Sequence, residues 1–330
     1  MVPLSILDLA FVAEGQPMTE ALAGTVTLAQ RAEALGYRRV WYAEHHNFKS
    51  IASSATSVLI AHVAAHTRTI RLGAGGIMLP NHAPLVIAEQ FGTLEALHPG
   101  RIDLGLGRAP GTDQVTLRAL RVHPLDAESF PEDVVELQGF LGDETPIPGV
   151  NATPGKGTHV PLFILGSSTF GAQLAAQLGL PYGFASHFAP AMLEQAVALY
   201  RRNFRPSKQQ QTPYVIAGVN VIAADTHAEA DAHARQVWRM RAKALLGRGQ
   251  KWTDEQAQAV LDSPAGQPVR EMARYTALGT GDEVKEYLEG FARLAHADEL
   301  ITVHPAPTLE ARLRSLELLA AAAGSTMKSR

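Results

Sequence analysis

The chain contains no cysteine, which excludes disulfides, thiolate catalysis and cysteine-ligated metals. It also lacks a surplus of one charge. Lys+Arg total 29 against 32 Asp+Glu, a formal net charge of −3 with the signs interspersed. Neither nucleic acid nor a membrane surface is therefore an expected partner. No apolar run is long enough to cross a bilayer. The amino terminus carries no basic region before its apolar residues, and Asp8 interrupts them. A signal peptide is not expected, and a cytoplasmic location is. Solenoid-type repeats and low-complexity segments are absent too, since Gln209-Gln210-Gln211 is too short to matter.

What is present is an ordinary globular composition of 330 residues, 46% apolar and 18% charged. Apolar runs of strand length alternate with segments of helical period. The strands expected are 5–10, 38–43, 70–77, 101–106, 161–165, 182–186, 214–223 and 299–303. A helix is expected after each, with Gly36 ending the first and Pro84 opening the third. Thr226 and Glu229 form a capping box for the helix reaching Leu246. Residues 109–125 read as a polar loop and 142–159 as a glycine- and proline-rich one. Residues 247–279 fit no simple strand–helix unit and read as an inserted, mobile lid segment. Eight strand–helix units without a composition break predict an α/β fold, a single (β/α)8 TIM barrel over residues 1–330. An open doubly wound sheet is the structural rival.

Barrel chemistry sits at the C-terminal ends of strands. The second strand ends at Glu44-His45-His46. That cluster could brace the barrel rim, ligate a metal with help from His187, His304 or Asp103, or handle protons. Adjacent residues of an extended segment point to opposite sides, so His45 and His46 do not suit one shared ion. A single inward histidine acting as acid, base or donor fits better. Gly75-Gly76 in the third strand suits either close approach of a flat ligand or a tight barrel corner. Gly166-Ser167-Ser168 precedes a helix and suits an anion, with a dipole contribution of roughly 0.3–1 kcal/mol. Plain N-capping by the serines is the alternative. Arg108, at the neighbouring strand end, could add a charge-assisted hydrogen bond of roughly 1.5–3 kcal/mol to a phosphate, or form a structural ion pair. Gly105-x-Gly107-x-x-x-Gly111 has the wrong spacing for a dinucleotide fingerprint.

Taken together, Trp41 with Glu44-His45-His46, the run Gly73 to Pro80, Pro99-Gly100-Arg101-Ile102-Asp103-Leu104-Gly105-Leu106-Gly107-Arg108, and Leu165-Gly166-Ser167-Ser168 resemble the bacterial luciferase-like monooxygenase family. The likeness runs from the first strand to the last helix and is strongest to non-luminous members without an assigned substrate. It implies an FMN-dependent, two-component monooxygenase. Reduced FMN would come from a separate NAD(P)H:flavin reductase and react with dioxygen to a C4a-peroxyflavin that oxidises a small organic substrate. It implies that His45 is catalytic, and that Gly75-Gly76 is a non-proline cis peptide against the flavin ring. It implies cofactor contacts at Glu44, Gly75, Gly76, Arg108, Ala109, Gly166, Ser167, Ser168, Ser186 and His187, and no metal. Luciferase's reactive cysteine corresponds to Gly107 and a carboxylate at the phosphate turn to Ser167, so light emission is not implied. Family members also pair through barrel helices, which makes a homodimer through 52–65 and 85–97 the expected assembly. A deazaflavin cofactor, a flavin carrier without catalysis, and a metal-dependent barrel hydrolase are the competing readings.

Overall fold

The structure is a computed structural model that describes residues 1–324 except 14, 110 and 248. Nine parallel strands form one sheet: β1 (Leu4–Asp8), β2 (Arg39–Tyr42), β3 (Arg71–Met78), β4 (Ile102–Gly107), β5 (Leu162–Gly166), β6 (Tyr182–Phe184), β7 (Val215–Ala223), β8 (Thr276–Gly279) and β9 (Glu299–Val303). Pairing runs from β1 through β2 to β7, then β9 and back to β1, which closes an eight-stranded TIM barrel. Among the described residues the α-helices are α1 (Met18–Leu35), α2 (Thr56–Ala65), α3 (Pro84–Leu97), α4 (Gln114–Leu120), α5 (Phe130–Leu141), α6 (Thr169–Leu178), α7 (Leu193–Asn203), α8 (His227–Leu246), α9 (Asp254–Asp262), α10 (Gln267–Met272), α11 (Gly281–Leu294) and α12 (Leu309–Ala323).

Two expectations need correction. First, 247–279 is not without a strand: it holds α9, α10 and β8. Asn220 of β7 pairs with Val303 of β9 on one edge and with Thr276 of β8 on the other. The long β7 thus continues past the barrel wall, and β8 takes the edge that β6 leaves. The helices of this segment pack on α8 through a small apolar cluster of Ala242, Leu261 and Val269, flanked by Trp238 and Leu246. Second, 109–125 is not all loop, because Asp113 accepts hydrogen bonds from the Val115 and Thr116 N–H groups and starts α4.

Side chains alternate along each strand. Val40 and Tyr42 face the shell of helices, while Trp41 and Ala43 join Leu7, Phe163, Ile216, Ile301 and Val303 inside the barrel. At the N-terminal end the interior is ionic rather than apolar. Arg39 Nη1 reaches Asp103 Oδ2 at 2.7 Å and its Nη2 reaches Glu299 Oε2 at 3.1 Å. Trp41 Nε1, Arg71, Ser5 and Tyr214 complete the acceptors' shells. Asp103, weighed above as a metal ligand, is therefore held at the bottom of the barrel, away from the C-terminal strand ends. Among the described residues, no helix is long and apolar enough to cross a membrane.

Candidate active site

The inward alternation that brings Trp41 and Ala43 into the barrel carries on to His45 at its mouth, while Glu44 and His46 share the other side. His46 Nε2 lies 2.7 Å from Glu44 Oε1. Glu44 also accepts from the Met78 N–H at 2.9 Å, Asn81 Nδ2 at 3.2 Å and His82 Nε2 at 3.0 Å. Burial opposes its charge, but the hydrogen bonds from His82, His46 and Met78 outweigh that and hold the carboxyl below its usual range. Glu44 is thus a fixed anion that ties the end of β2 to the β3–α3 corner. Both of its oxygens are occupied by protein donors.

His45 is different. Its Nδ1 is buried without a hydrogen-bond partner, and its ring meets Phe48 edge-on at 5.6 Å. Burial, with His46 adding to it, holds the imidazole pKa below the usual value despite Glu44. His187, after β6, is also buried, with Nδ1 unpartnered. Burial foremost, then the charges of Arg241 and His45, brings its pKa to about 3. Both rings are neutral at neutral pH; His45 Nδ1 has no partner, and His187 Nδ1 has none either but is packed against Gly218. Ser186 Oγ donates to Gly218 O at 2.6 Å, and Asn220 Nδ2 donates to His187 O at 2.7 Å. The inward face of β7 therefore sets where His187 sits.

The Gly75–Gly76 peptide is cis. A Cβ at Gly75 would lie 2.9 Å from Trp41 Cβ, and one at Gly76 would lie 2.7 Å from Gly105 O. Packing against Trp41 and Leu7 therefore requires glycine at 75, and packing against Gly105 and Leu165 requires it at 76, whether or not a ligand approaches them. Gly105 and Gly107 likewise lie within β4, against Ala74 and Met78, so no phosphate-binding turn forms there.

Beside β6, Gly166 ends β5 and Ser168 is the N-cap of α6. The Ser168 side chain makes no capping hydrogen bond, and the first turn holds no acidic residue. The leading N–H groups of α6 are left open to an anion. Ser167 and Ser168 are half-buried, and the Tyr182 hydroxyl donates to Ser168 O at 2.9 Å. Arg108 is exposed beyond β4, and its guanidinium stacks over Phe170, in that same first turn, 4.1 Å from the ring centroid. Ala109 follows it on the exposed loop. His304 does not open onto the mouth: it is fully buried between Ser315 and Thr302. Among the described residues, no three His, Asp or Glu side chains are grouped to hold a metal ion.

Sequence reasoning missed Asn81, His82, Gly218 and Asn220, which position the expected residues from neighbouring strands. Only the pairing of β2 with β3 and of β6 with β7 brings them together.

A family description, luciferase-like monooxygenase, matches residues 2–298. A luciferase-like monooxygenase of Escherichia coli (strain K12) is 48% identical over 320 residues, covering 96% of each chain. N-acetyl-S-alkylcysteine monooxygenase of Bacillus subtilis (strain 168) is 36% identical over 337 residues, covering 97% of each. The crystal structure of apo-MsnO8 superposes with a TM-score of 0.88 at 34% identity, over 98% of both chains. With this match along nearly its whole length, the chain belongs to the luciferase-like monooxygenase family.

Proposed function

We propose that the protein is an FMN-dependent monooxygenase that uses reduced flavin and dioxygen on a small organic substrate. The observation that carries this reading is what the barrel mouth brings together. An uncapped helix terminus with Arg108 beside it follows β5, and two neutral histidines with unpartnered Nδ1 atoms, half-buried His45 and buried His187, follow β2 and β6. The first suits the phosphate of FMN, and the second suits an uncharged, polarisable ring system and proton movement at Nδ1. Family membership and the B. subtilis relative's name support oxygenation in general.

Bound reduced FMN would supply the two electrons that reduce dioxygen, one oxygen atom entering the substrate and the other leaving as water. Arg108, Ser167, Ser168 and the Gly166 turn would hold the phosphate. His45, His187 and the Gly75-Gly76 segment would contact the ring. His45 Nδ1, which has no hydrogen-bond partner, would accept or return a proton, and its depressed pKa would keep the ring neutral until it does. Buried His187 and half-buried His45 would limit the access of bulk water to the reacting atoms. The chain has no dinucleotide turn, so a separate NAD(P)H:flavin reductase is the proposed source of reduced FMN. Exposed Val58 on α2, and Val86 and Leu97 on α3, support a homodimer through those helices.

Titration of the purified chain with oxidised and reduced FMN tests the reading. Tighter binding of the reduced form is expected, with affinity falling about 10- to 100-fold in Arg108→Ala, the range of one charge-assisted hydrogen bond. Peroxide release on oxygen exposure should rise in His45→Ala while FMN affinity stays close to wild type. Unchanged peroxide release in that variant would point to a flavin carrier instead.

A further inference from the structure

Above the barrel, a cavity of about 170 Å³ opens between α8, the loop after β1 and the loop after β9. Phe11, Ala21, Val237, Met240, Pro305 and Leu309 give it mostly apolar walls. Three charged side chains also line it: Glu20, Arg241 and Arg312. Arg312 is already compensated, because its Nη2 lies 2.9 Å from Asp8 Oδ1. Arg241 is not. Its Nη2 donates to Asn220 Oδ1 at 3.3 Å and its guanidinium stacks over Trp238 at 4.8 Å. Its Nη1, however, is buried and makes no hydrogen bond among the described residues. Burial brings its pKa down to about 10, with no acid opposing the shift, so it is still a cation at neutral pH.

A guanidinium with a buried, unpartnered donor and, among the described residues, no carboxylate within ion-pair distance, exposed Glu20 included, is costly to keep. Its fork is built to complete itself on a carboxylate. Asn220 joins it to the reaction side, since the same side chain donates to His187 O. The apolar walls, the single uncompensated cation and the link to His187 together describe a ligand with a hydrocarbon body and one acidic group. We propose that Arg241 anchors the carboxylate of a small, largely apolar substrate whose body fills this cavity. This deepens the monooxygenase reading and rests on it for the word substrate; the binding site itself stands on Arg241 and the cavity.

Calorimetric titration of the full chain, with and without FMN, would compare hexanoate with hexanamide, which share a shape and differ in charge. The wild type should bind hexanoate about tenfold tighter or more, the margin of one charge-assisted hydrogen bond. Arg241→Gln should bring the two ligands within about threefold, and Arg241→Lys should keep part of the preference. Arg241→Gln should fold with an unchanged or higher thermal midpoint, because it removes an uncompensated buried charge. Asn220→Asp is the second variant. It places a carboxylate on Arg241 from within and should abolish the preference by the same logic. No preference in the wild type, or the same preference in Arg241→Gln and Asn220→Asp, overturns the assignment. The two readings fail separately. Loss of FMN binding in the wild type would sink the monooxygenase proposal and leave the hexanoate comparison standing, whereas FMN binding without any hexanoate preference would do the reverse.

Discussion

Gly218 of β7 lies directly against the His187 ring, so close that a Cβ added there would overlap Nδ1 and sit 3.3 Å from Cε1 and Cγ. The same glycine's carbonyl accepts from Ser186 Oγ at 2.6 Å. One residue without a side chain thus seats both groups that follow β6. Gly218→Ala should force the ring outward or β7 backward, at a cost of about 1–3 kcal/mol typical of overpacking. Denaturant unfolding would show the loss, and FMN titration would show weakened binding if His187 lies at the ring. Unaltered stability and unaltered FMN affinity together would mean that the His187 ring is free to move, contrary to its burial.

Glu44 gives a sharper separation of structure from chemistry. Its two oxygens accept from one backbone N–H and three side chains. Glutamine keeps the size but turns one acceptor into a donor, which must then face the Met78 N–H or an imidazole. Glu44→Gln should cost about 1–3 kcal/mol, the penalty of stranding a buried partner. The loss should appear as a lower urea midpoint with an unchanged slope. Because the folded carboxyl is held below its usual range, the stability it contributes is complete above the unfolded pKa and fades as pH falls through the folded one. The variant should therefore lose part of the wild type's acid sensitivity below about pH 4.5.

A second pH effect lies higher and comes from histidines. His304 is locked neutral by a directional chain. The Ala223 N–H donates to Ser315 Oγ, which leaves Ser315 to donate to His304 Nδ1 at 2.8 Å. On the other side Thr302 donates to Ser5 O, which leaves Thr302 Oγ1 to accept from His304 Nε2 at 3.0 Å. A second proton has no acceptor to meet. Burial first, and Arg312 second, lower the His304 pKa to about 3, and His187 is brought to a similar value. Folded pKa values lie below the unfolded value near 6.5, so between them the unfolded chain binds more protons and stability rises with pH. Falling from pH 7 to pH 5 should remove about 2 kcal/mol for each ring. Urea midpoints measured across that range would show it. His304→Gln should flatten the slope by about one proton's worth, and an equally steep slope in that variant would rule the chain out as its source.

Much of this was legible beforehand because the barrel repeats one simple pattern. Apolar runs at Leu4–Asp8 and Val215–Ala223 announce strands, and alternation past Trp41 separates inward His45 from His46 on the rim. β8 was not legible. Thr276-Ala277-Leu278-Gly279 is short and pairs only with the tail of β7, so its stability comes from a partner 50 or so residues away rather than from its own composition. The α4 cap is legible in Asp113, a strong N-cap residue. Arg241 could not have been singled out. Arg239, Arg241 and Lys243 look alike along one helix, and only tertiary placement pairs Lys243 with Asp254 at 2.7 Å while leaving Arg241 uncompensated.

The ionic floor of the barrel supplies a control for all of these variants. Arg39 is almost fully buried and bridges two fully buried carboxylates, Asp103 and Glu299. Burial opposes its charge, but Asp103 and Glu299 more than offset this and raise its pKa above the ordinary value. Replacing it with an apolar side chain leaves two carboxylates together in a low dielectric, where losing one partner of a buried pair costs about 3–5 kcal/mol. Arg71 still serves Asp103 and Tyr214 still serves Glu299, so the loss should fall at the lower end. Arg39→Met should thus lower the denaturation midpoint by more than Glu44→Gln. Because the floor lies at the opposite end of the strands from His45, the fraction that remains folded should bind FMN with wild-type affinity. A variant that kept its stability but lost FMN would show that the two ends of the barrel are coupled through Trp41, whose Nε1 donates to Asp103 at 3.1 Å and whose Cβ faces Gly75.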